Sequence, residues 1–279
     1  MKTLIASTLA VLLLTMSPIP LRVVGFSASR VTVLVSGFPE SVSTEPSAFY
    51  GETREGTSYA DARDLAEALG AEIVAGGDDS DFVTITAPEL ELTAKTGDVY
   101  IVANGRFLYA PNGVFTEDGK FYLPVRQTAR AFGANVQWSD AFRTVLITPG
   151  DAPIEPADTA YSEEDIKWLS RIIFAEAGGE SFDGMLGVGN VVMNRVHSEY
   201  YPDSVYGVIF DRRSGVQFTP AYSGAINNTP SEACVIAAKL AIDGADVVGE
   251  SLYFSGAERC WASRHRNRYT TIGGHDFYL

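Results

Sequence analysis

The chain has 279 residues, of which 46% are hydrophobic, so it is long enough for two domains and at least one sizeable core. Its formal net charge is −14 at pH 7, and its isoelectric point lies near 4.6. Such an acidic chain repels phosphate backbones, and its sequence contains no dense cluster of lysine and arginine. We therefore expect no nucleic-acid partner.

The first residues have the pattern of an export signal, which we place at residues 1–29. Lys2 supplies a positive start, "LIASTLAVLLLTM" an apolar run, and "GFSASR" small residues for cleavage near Ala28 and Ser29. The apolar run is shorter than the roughly 20 residues that a spanning helix needs, which favours cleavage over an uncleaved anchor. The sequence thus predicts a secreted protein with no membrane contact after cleavage.

Two stretches in the region that follows repeat one another at an offset of 63 residues. They read "YADARDLAEALGAEIV" (59–74) and "YLPVRQTARAFGANVQ" (122–137), and they share an arginine, Arg63 in the first copy and Arg126 in the second. Each copy has a strand pattern, a short helix closed by glycine, and a further strand, after which comes "DFVTIT" or "RTVLIT". We predict an α+β domain over residues 30–149, built from two similar βαββ-like halves.

The second copy, within "FYLPVRQTARAFGANVQWSDAFRTVLI", resembles the bacterial domain called the copper amine oxidase N-terminal-like or stalk domain. The resemblance covers residues 31–149. Residues 1–196 contain neither histidine nor cysteine, so we expect no copper site there. Two roles stay open for this domain: a module that binds a ligand of the cell envelope, or a spacer.

A proline-rich segment separates this region from the rest of the chain. The stretch "TPGDAPIEPADTAYS" has three prolines and no apolar periodicity, so we predict a semi-rigid linker at residues 150–160. Residues 161–279 are then expected to form a second domain.

The second domain is predicted to open with a helix that carries a carboxylate on its apolar face. Ser162 is a good N-cap, and Gly178 follows the last position of the apolar pattern. The spacing puts Glu176 on the same face as Leu169 and Ile173.

Three influences would raise the pKa of Glu176 in that position. They are partial desolvation, the negative end of the helix dipole, and repulsion from Glu180. A carboxyl that stays protonated near neutral pH can donate a proton to a glycosidic oxygen. The alternative is a glutamate at a frayed helix end that is turned to water.

The second domain resembles the catalytic domain of the spore cortex-lytic, SleB-type cell-wall hydrolases. The resemblance spans residues 161–278 and is carried by "IIFAEAGGESFDGMLGVGNVVMNRVHSEYYPDSVYGVIF", "VQFTP", "SLYFSGAERCWASRH" and "TIGGHDFY". It implies a mainly α, lysozyme-like α+β fold that cleaves the glycan strands of peptidoglycan in the cell wall or spore envelope. It also implies that Glu176 is the catalytic glutamate.

One carboxyl is sufficient for a lytic transglycosylase, the route with which this family is associated. Glu176 would protonate the oxygen between N-acetylmuramic acid and N-acetylglucosamine, and would then take the proton of the muramic C6 hydroxyl as a 1,6-anhydro ring closes. Ordinary glycosidases use two carboxyls. This mechanism requires no cofactor and no metal.

Six further residues are candidates for substrate binding: Glu180, Gln217, Phe218, Tyr253, Phe254 and His275. The glutamate is either a second carboxylate or a group that bonds backbone amides of its own turn. The amide and its neighbouring phenylalanine are expected to line the cleft. The aromatic pair either stacks on a sugar or fills the core, and the histidine either bonds the catalytic region or is satisfied within the fold.

Two other functions stay open. The first is an N-acetylmuramoyl-L-alanine amidase, which would use zinc with about three ligands; the three histidines, His197, His265 and His275, show no metal-binding spacing. The second is a wall-binding protein without turnover.

The pairing of the two cysteines also stays open, because the sequence allows either a disulfide between Cys234 and Cys260 or two free thiols.

Overall fold

A computed structural model of the chain describes residues 30–38, 46–256 and 260–279. The predicted export signal at residues 1–29 lies outside the described residues. None of the helices in the described ranges is long and apolar enough to cross a membrane.

The described part of the N-terminal region, residues 30–38 and 46–149, consists of twelve strands and two short helices. The strands are β1 (Arg30–Val35), β2 (Ser47–Arg54), β3 (Thr57–Asp61), β4 (Glu72–Gly76), β5 (Phe82–Ala87), β6 (Leu90–Lys95), β7 (Tyr100–Ala103), β8 (Arg106–Tyr109), β9 (Phe115–Glu117), β10 (Lys120–Pro124), β11 (Asn135–Ser139) and β12 (Thr144–Thr148). The helices are α1 (Ala62–Ala68) and α2 (Val125–Ala131). One sheet has the order β11-β12-β1-β2-β3-β10-β9 and the other the order β4-β5-β6-β7-β8, and a shared apolar core includes Val33, Ile85 and Phe121.

The two repeats are joined through their first strands. The first copy runs β3–α1–β4–β5 and the second β10–α2–β11–β12, so both have the order strand, helix, strand, strand. Strands β3 and β10 pair antiparallel, with Tyr59 opposite Pro124 and Asp61 opposite Tyr122. At the repeat offset, Tyr122 is the counterpart of Tyr59 and Pro124 that of Asp61. The pairing is therefore symmetric about its centre, and a local two-fold relation connects the copies.

The C-terminal region is mainly helical and carries one small sheet. Its helices are α3 (Ala157–Ala160), α4 (Glu163–Ala177), α5 (Phe182–Val196), α6 (Val205–Ile209), α7 (Pro220–Ser223), α8 (Glu232–Ile242) and α9 (Trp261–His265), and a 3-10 turn spans Ala225–Asn227. The strands are β13 (Tyr253–Ser255), β14 (Arg268–Ile272) and β15 (His275–Tyr278), in the order β13-β15-β14.

Helices α4, α5 and α8 pack together and form the core of this region. Leu169 and Ile173 of α4 and Leu240 of α8 are completely buried in it. On α5, Gly187 allows the sheet to come close, because a Cβ at this position would lie 2.7 Å from Cζ of Phe277. Gly187 thus allows the sheet to lie directly on α5.

The segment predicted to be a linker is packed against the N-terminal region. Asn104 donates a side-chain hydrogen bond to the Ile154 carbonyl and accepts one at its own carbonyl from the Ala157 amide, both at 2.9 Å. The Ile154 amide also donates to the carbonyl of Ala131 at 3.0 Å. The segment is therefore held along its length, and its last four residues form α3.

The two regions meet at a buried carboxylate. The side chain of Asp243, at the end of α8, is 1% exposed and accepts a hydrogen bond from Arg106 Nε at 2.9 Å. It also accepts one from the Tyr161 hydroxyl, and Arg130 Nη1 donates to the Asp243 carbonyl at 2.8 Å. Nearby, the ammonium of Lys239 lies 4.9 Å from the ring centre of Phe107. The hairpin β7–β8 is thereby fixed on α8.

Both cysteines are free thiols. Cys234 is buried in α8, where its Sγ lies 3.8 Å from Sδ of Met185. The Sγ of Cys260 accepts a hydrogen bond from the amide of Ser263 at 3.2 Å and so caps α9. The structure thus decides between the two alternatives in favour of free thiols.

We predict that Asp243→Asn lowers the free energy of unfolding by about 3 kcal/mol, because it leaves the partly buried charge of Arg106 without its counter-ion. Urea unfolding of the full chain measures this loss. Asp151→Asn is the matched control, since Asp151 is exposed and a surface change of this kind stays within about 0.5 kcal/mol. If Asp243→Asn lowers the free energy of unfolding no more than Asp151→Asn does, the Asp243 carboxylate contributes no stability to the junction.

Candidate functional site

Glu176 lies in the last turn of α4, and the helix positions it. The Ser162 hydroxyl caps the helix by accepting from the Asp165 amide at 3.2 Å. The apolar face of the helix is buried through Leu169 and Ile173, as the spacing predicts. Glu176 extends this face by one more turn and is half-buried. Its burial is a direct consequence of its register on the helix.

Burial raises the pKa of Glu176. Its carboxyl makes no hydrogen bond or ion pair with any residue of the described ranges. Of the three influences expected from the sequence, desolvation accounts for this shift. The group is therefore biased towards its protonated form and has no partner within the fold that would hold its proton.

Glu180 is bound within the fold. Its Oε2 accepts a hydrogen bond from the Gly274 amide at 2.8 Å, in the turn between β14 and β15. Gly273 has a φ of +56°, and a Cβ there would lie 2.3 Å from the Glu180 carboxylate. The carboxylate thus connects the start of α5 to the sheet. The amide that Glu180 bonds belongs to the turn between β14 and β15 and not, as expected, to the turn of Glu180 itself. This geometry does not support the predicted substrate-binding role.

A groove of about 960 Å³ runs beside the sheet. Two predicted site residues, Gln217 and Tyr253, line it. Glu176 is not among its lining residues. The polar side chains that the groove presents include Tyr201, Asp211, Arg213, Gln217, Tyr253 and Arg266.

Phe218, Phe254 and His275 form an aromatic layer with Phe277. The prediction that Phe218 lines the cleft is wrong, because its side chain is 1% exposed and packs in the core. Phe254 is half-buried, with its ring centre 6.2 Å from that of Phe218 and 5.3 Å from that of His275. His275 is buried, and its Nδ1 has no hydrogen-bond partner among the described residues. These side chains therefore form the buried face of the sheet, on which Phe218 packs.

A buried arginine, absent from the predicted site residues, lies beside the groove. Arg195 is 4% exposed, and its Nε donates to the Leu252 carbonyl at 2.8 Å. Its guanidinium lies 5.0 Å from the ring centre of Tyr201 and 5.8 Å from that of Tyr253. Burial lowers its pKa, but an arginine still carries its charge at neutral pH. The Asn-Arg-Val end of α5 contains this arginine, but no neighbouring residue in the sequence indicates that its side chain is buried.

The charge of Arg195 acts on two tyrosines. Burial alone would raise the pKa of Tyr253, but hydrogen bonds from Tyr201 and Arg266 and the positive charges of Arg266 and Arg195 outweigh this effect and lower it. The pKa of Tyr201 is raised to about 12 by burial and by the hydrogen bond that it gives to Tyr253. This side of the groove is therefore electropositive.

The three histidines lie apart from one another. His197 ends α5, His265 contacts the Trp261 carbonyl through Nδ1 at 2.8 Å, and His275 packs in the aromatic layer. Within the described ranges, no three histidine, cysteine, aspartate or glutamate side chains come together in a way that could hold a metal ion.

Two parts of the chain match known families. Residues 179–278 match the cell wall hydrolase family, and residues 42–147 match the copper amine oxidase N-terminal domain family. The C-terminal region is therefore similar to the cell wall hydrolases and the N-terminal region to the copper amine oxidase N-terminal domains. Both resemblances identified from the sequence are confirmed.

Within the first of these families, the chain is similar to spore cortex-lytic enzymes. It is 35% identical to that of Oceanobacillus iheyensis over 105 residues, which make up 38% of this chain and 37% of the relative. It is 38% identical over 94 residues to that of Bacillus cereus, with coverage of 34% and 35%, and 36% identical over 94 residues to that of Bacillus subtilis, with coverage of 34% and 30%. The chain thus spans about a third of the length of the curated relatives it matches.

Two solved structures are also similar to the chain. One is the catalytic domain of the Bacillus cereus SleB protein, with 34% identity, a TM-score of 0.39, and coverage of 43% of this chain and 92% of that one. The other is the catalytic domain of the germination-specific lytic transglycosylase SleB from Bacillus anthracis, with 34% identity, a TM-score of 0.39, and coverage of 43% and 97%.

We predict that Tyr201→Phe raises the pKa of Tyr253, because the variant lacks the hydroxyl that donates to Tyr253 and stabilises its phenolate. The measurement is a pH titration of ¹³C-labelled tyrosine Cζ by NMR. Tyr200→Phe, at an exposed neighbouring position, is the control and should leave the Tyr253 titration unchanged. An unchanged Tyr253 titration in Tyr201→Phe would contradict the coupling between the two hydroxyls.

Proposed function

We propose that the protein is an exported enzyme that degrades peptidoglycan by cleaving its glycan strand between N-acetylmuramic acid and N-acetylglucosamine. The cell wall hydrolase family of residues 179–278 supports this function, as do the relatives named spore cortex-lytic enzymes. Peptidoglycan is the polymer that cell wall and spore cortex have in common. The pattern of residues 1–29 supports export.

The observation that carries the proposal is the state of Glu176. Its carboxyl is half-buried, has a raised pKa, and makes no hydrogen bond or ion pair with the described residues. A general acid must hold its proton near the working pH and be free to give it to the substrate. The raised pKa of Glu176 and its lack of a partner among the described residues both favour this role. Glu176 lies just ahead of the range that matches the family.

The proposed route is that of a lytic transglycosylase with one catalytic carboxyl. Glu176 gives its proton to the bridging oxygen as the bond from this oxygen to C1 of the muramic residue breaks. The resulting carboxylate takes the proton of the C6 hydroxyl, and O6 bonds to C1, which closes a 1,6-anhydro ring and returns Glu176 to its acid form. No water is consumed. The engagement of Glu180 with Gly274 favours this route over a pair of carboxyls.

We expect Glu176→Gln to reduce the release of muropeptides from purified sacculi by at least a hundredfold, since an amide cannot donate the proton. Mass spectrometry of the digest measures both rate and product. Glu163→Gln, an exposed change in the first turn of the same helix, is the matched control and should retain activity.

The products decide between the routes. Anhydro-muramic ends support the transglycosylase, whereas reducing ends would replace it with a hydrolase and freed stem peptides with an amidase. If the native protein binds sacculi but releases no muropeptides, the enzymatic proposal is wrong and the protein is a wall-binding protein without turnover.

The raised pKa of Glu176 also predicts a pH dependence of stability. Between the ordinary carboxyl pKa near 4.3 and the raised folded value, the folded state keeps a proton that the unfolded chain has released. The free energy of unfolding therefore falls as pH rises through this window. Glu176→Gln removes the effect, so the stability of the variant relative to the native chain should rise from pH 4 to neutral pH in urea unfolding. A difference that does not vary with pH would contradict the burial of this carboxyl.

A further inference from the structure

A second groove, of about 620 Å³, lies in the N-terminal region. This volume falls within the range of about 300 to 1,000 Å³ that is common for ligand sites. The groove is bounded by the turn between β2 and β3, the start of α2, and the hairpin β11–β12. Its chemistry comes from Thr57, Ser58, Arg126, Gln127, Trp138 and Arg143.

An exposed tryptophan is the central feature of this groove. Trp138 is 39% exposed and lies on β11, the edge strand of the seven-stranded sheet. Its Nε1 donates to Asp140 Oδ1 at 2.7 Å, which fixes the orientation of the indole. An indole held in this way offers an apolar surface of the kind on which a sugar ring packs.

The charge of the groove is opposite to that of the chain. Arg126 is exposed and makes no ion pair with the described residues, and Arg143 donates from Nε to the Arg30 carbonyl at 3.4 Å. No aspartate or glutamate is among the lining residues that the structure describes, while Asp140 stands at the edge. In a chain with a net charge of −14, such a site selects a ligand that carries negative charge.

The first repeat provides an internal comparison. At the repeat alignment, Arg126 corresponds to Arg63, but Arg63 is neutralised by Asp78, with Nη2 to Oδ2 at 2.9 Å. At the offset of 63 residues, Gln127 and Trp138 correspond to Asp64 and Ala75. The first copy has one more residue before its last strand, so "RTVLIT" aligns with "DFVTIT" at an offset of 62, and Arg143 corresponds to Asp81. The second copy thus has a tryptophan and an arginine where the first has an alanine and an aspartate. The shared fold does not require these groups, so we attribute them to a ligand.

We infer that this groove binds a carbohydrate that carries carboxylates, namely the glycan strand with the carboxylates of its stem peptides. Trp138 packs on a sugar ring, and the guanidinium of Arg126 pairs with a carboxylate. The identity of the polymer rests on the proposed function. The groove then keeps the protein on the insoluble polymer and raises the local concentration of strands at Glu176.

The test measures binding of the full chain to purified sacculi by co-sedimentation, with Glu176→Gln in every sample so that the polymer is not digested. We expect the added pair Trp138→Ala and Arg126→Gln to weaken binding about tenfold, a size typical of one aromatic contact and one exposed ion pair. Trp138→Phe should retain most of the affinity, since a phenyl ring still packs on a sugar. Thermal unfolding confirms that each variant is folded.

The matched controls come from the first repeat. Arg63→Gln removes the equivalent arginine, and Phe82→Ala removes an exposed aromatic side chain of the same domain. Both should bind as the parent does. Equal binding by the groove variant and the parent, or an equal loss in the controls, would overturn the inference.

Modified sacculi identify the charge that is recognised. Sacculi with amidated carboxylates should bind about tenfold more weakly, and sacculi stripped of phosphate polymers should bind as well as untreated ones. Binding that follows the phosphate content, or that is unaffected by amidation, would overturn the carboxylate assignment.

An activity measurement separates this inference from the proposed function. With Glu176 intact, the pair Trp138→Ala and Arg126→Gln should slow the digestion of sacculi several-fold and leave the cleavage of soluble strands unchanged. If the variant pair digests both substrates as fast as the native chain does, the role of the groove is refuted and the catalytic proposal stands. If the native chain itself shows no turnover, the catalytic proposal alone is refuted.

Discussion

The packing of α4 against α5 and α8 is the constraint on which the candidate catalytic group depends. Complete burial of Leu169 and Ile173 fixes the rotation of α4, and that rotation carries Glu176 into a half-buried position one turn further on. A carboxyl in this position loses water without gaining a partner, so its charged form is disfavoured. The same apolar contacts that stabilise the helix bundle thus favour the protonated form of Glu176.

The small sheet is held on α5 at both ends of that helix. At the first end, Glu180 accepts from the Gly274 amide. At the last end, Asn194 donates to the carbonyls of Gly249 and Ser251 at 2.7 and 3.0 Å, and Arg195 donates to that of Leu252. Tyr253 follows directly in β13, so these bonds place its hydroxyl in the groove. Arg195, one of the residues that hold the sheet, therefore also brings its positive charge to the groove wall.

The sequence predicted the features that local patterns encode. The cap at Ser162, the register of Glu176 and the element order of both repeats depend on neighbouring residues, and the structure shows them. The sequence could not reveal contacts between distant residues. Nothing near Asp243 indicates that Arg106 and Tyr161 converge on it, and an apolar Phe218 fits a cleft or a core equally well. The exposed Trp138 and the buried Arg195 were hidden for the same reason, because exposure is set by tertiary packing.

The symmetric pairing of β3 with β10, together with the parallel pairing of β1 with β12, has a consequence for how the N-terminal region acquires its fold. Val33 in the first strand lies opposite Val145 in the last. The large sheet is therefore complete only when the last strand of the second repeat has paired with β1. Contacts between residues so far apart in the sequence form slowly. A fragment that stops before β12 would leave the side of β1 without its partner, as an open sheet edge prone to association. The two copies are thus halves of one cooperative unit, and neither is a self-sufficient module that could be transplanted alone.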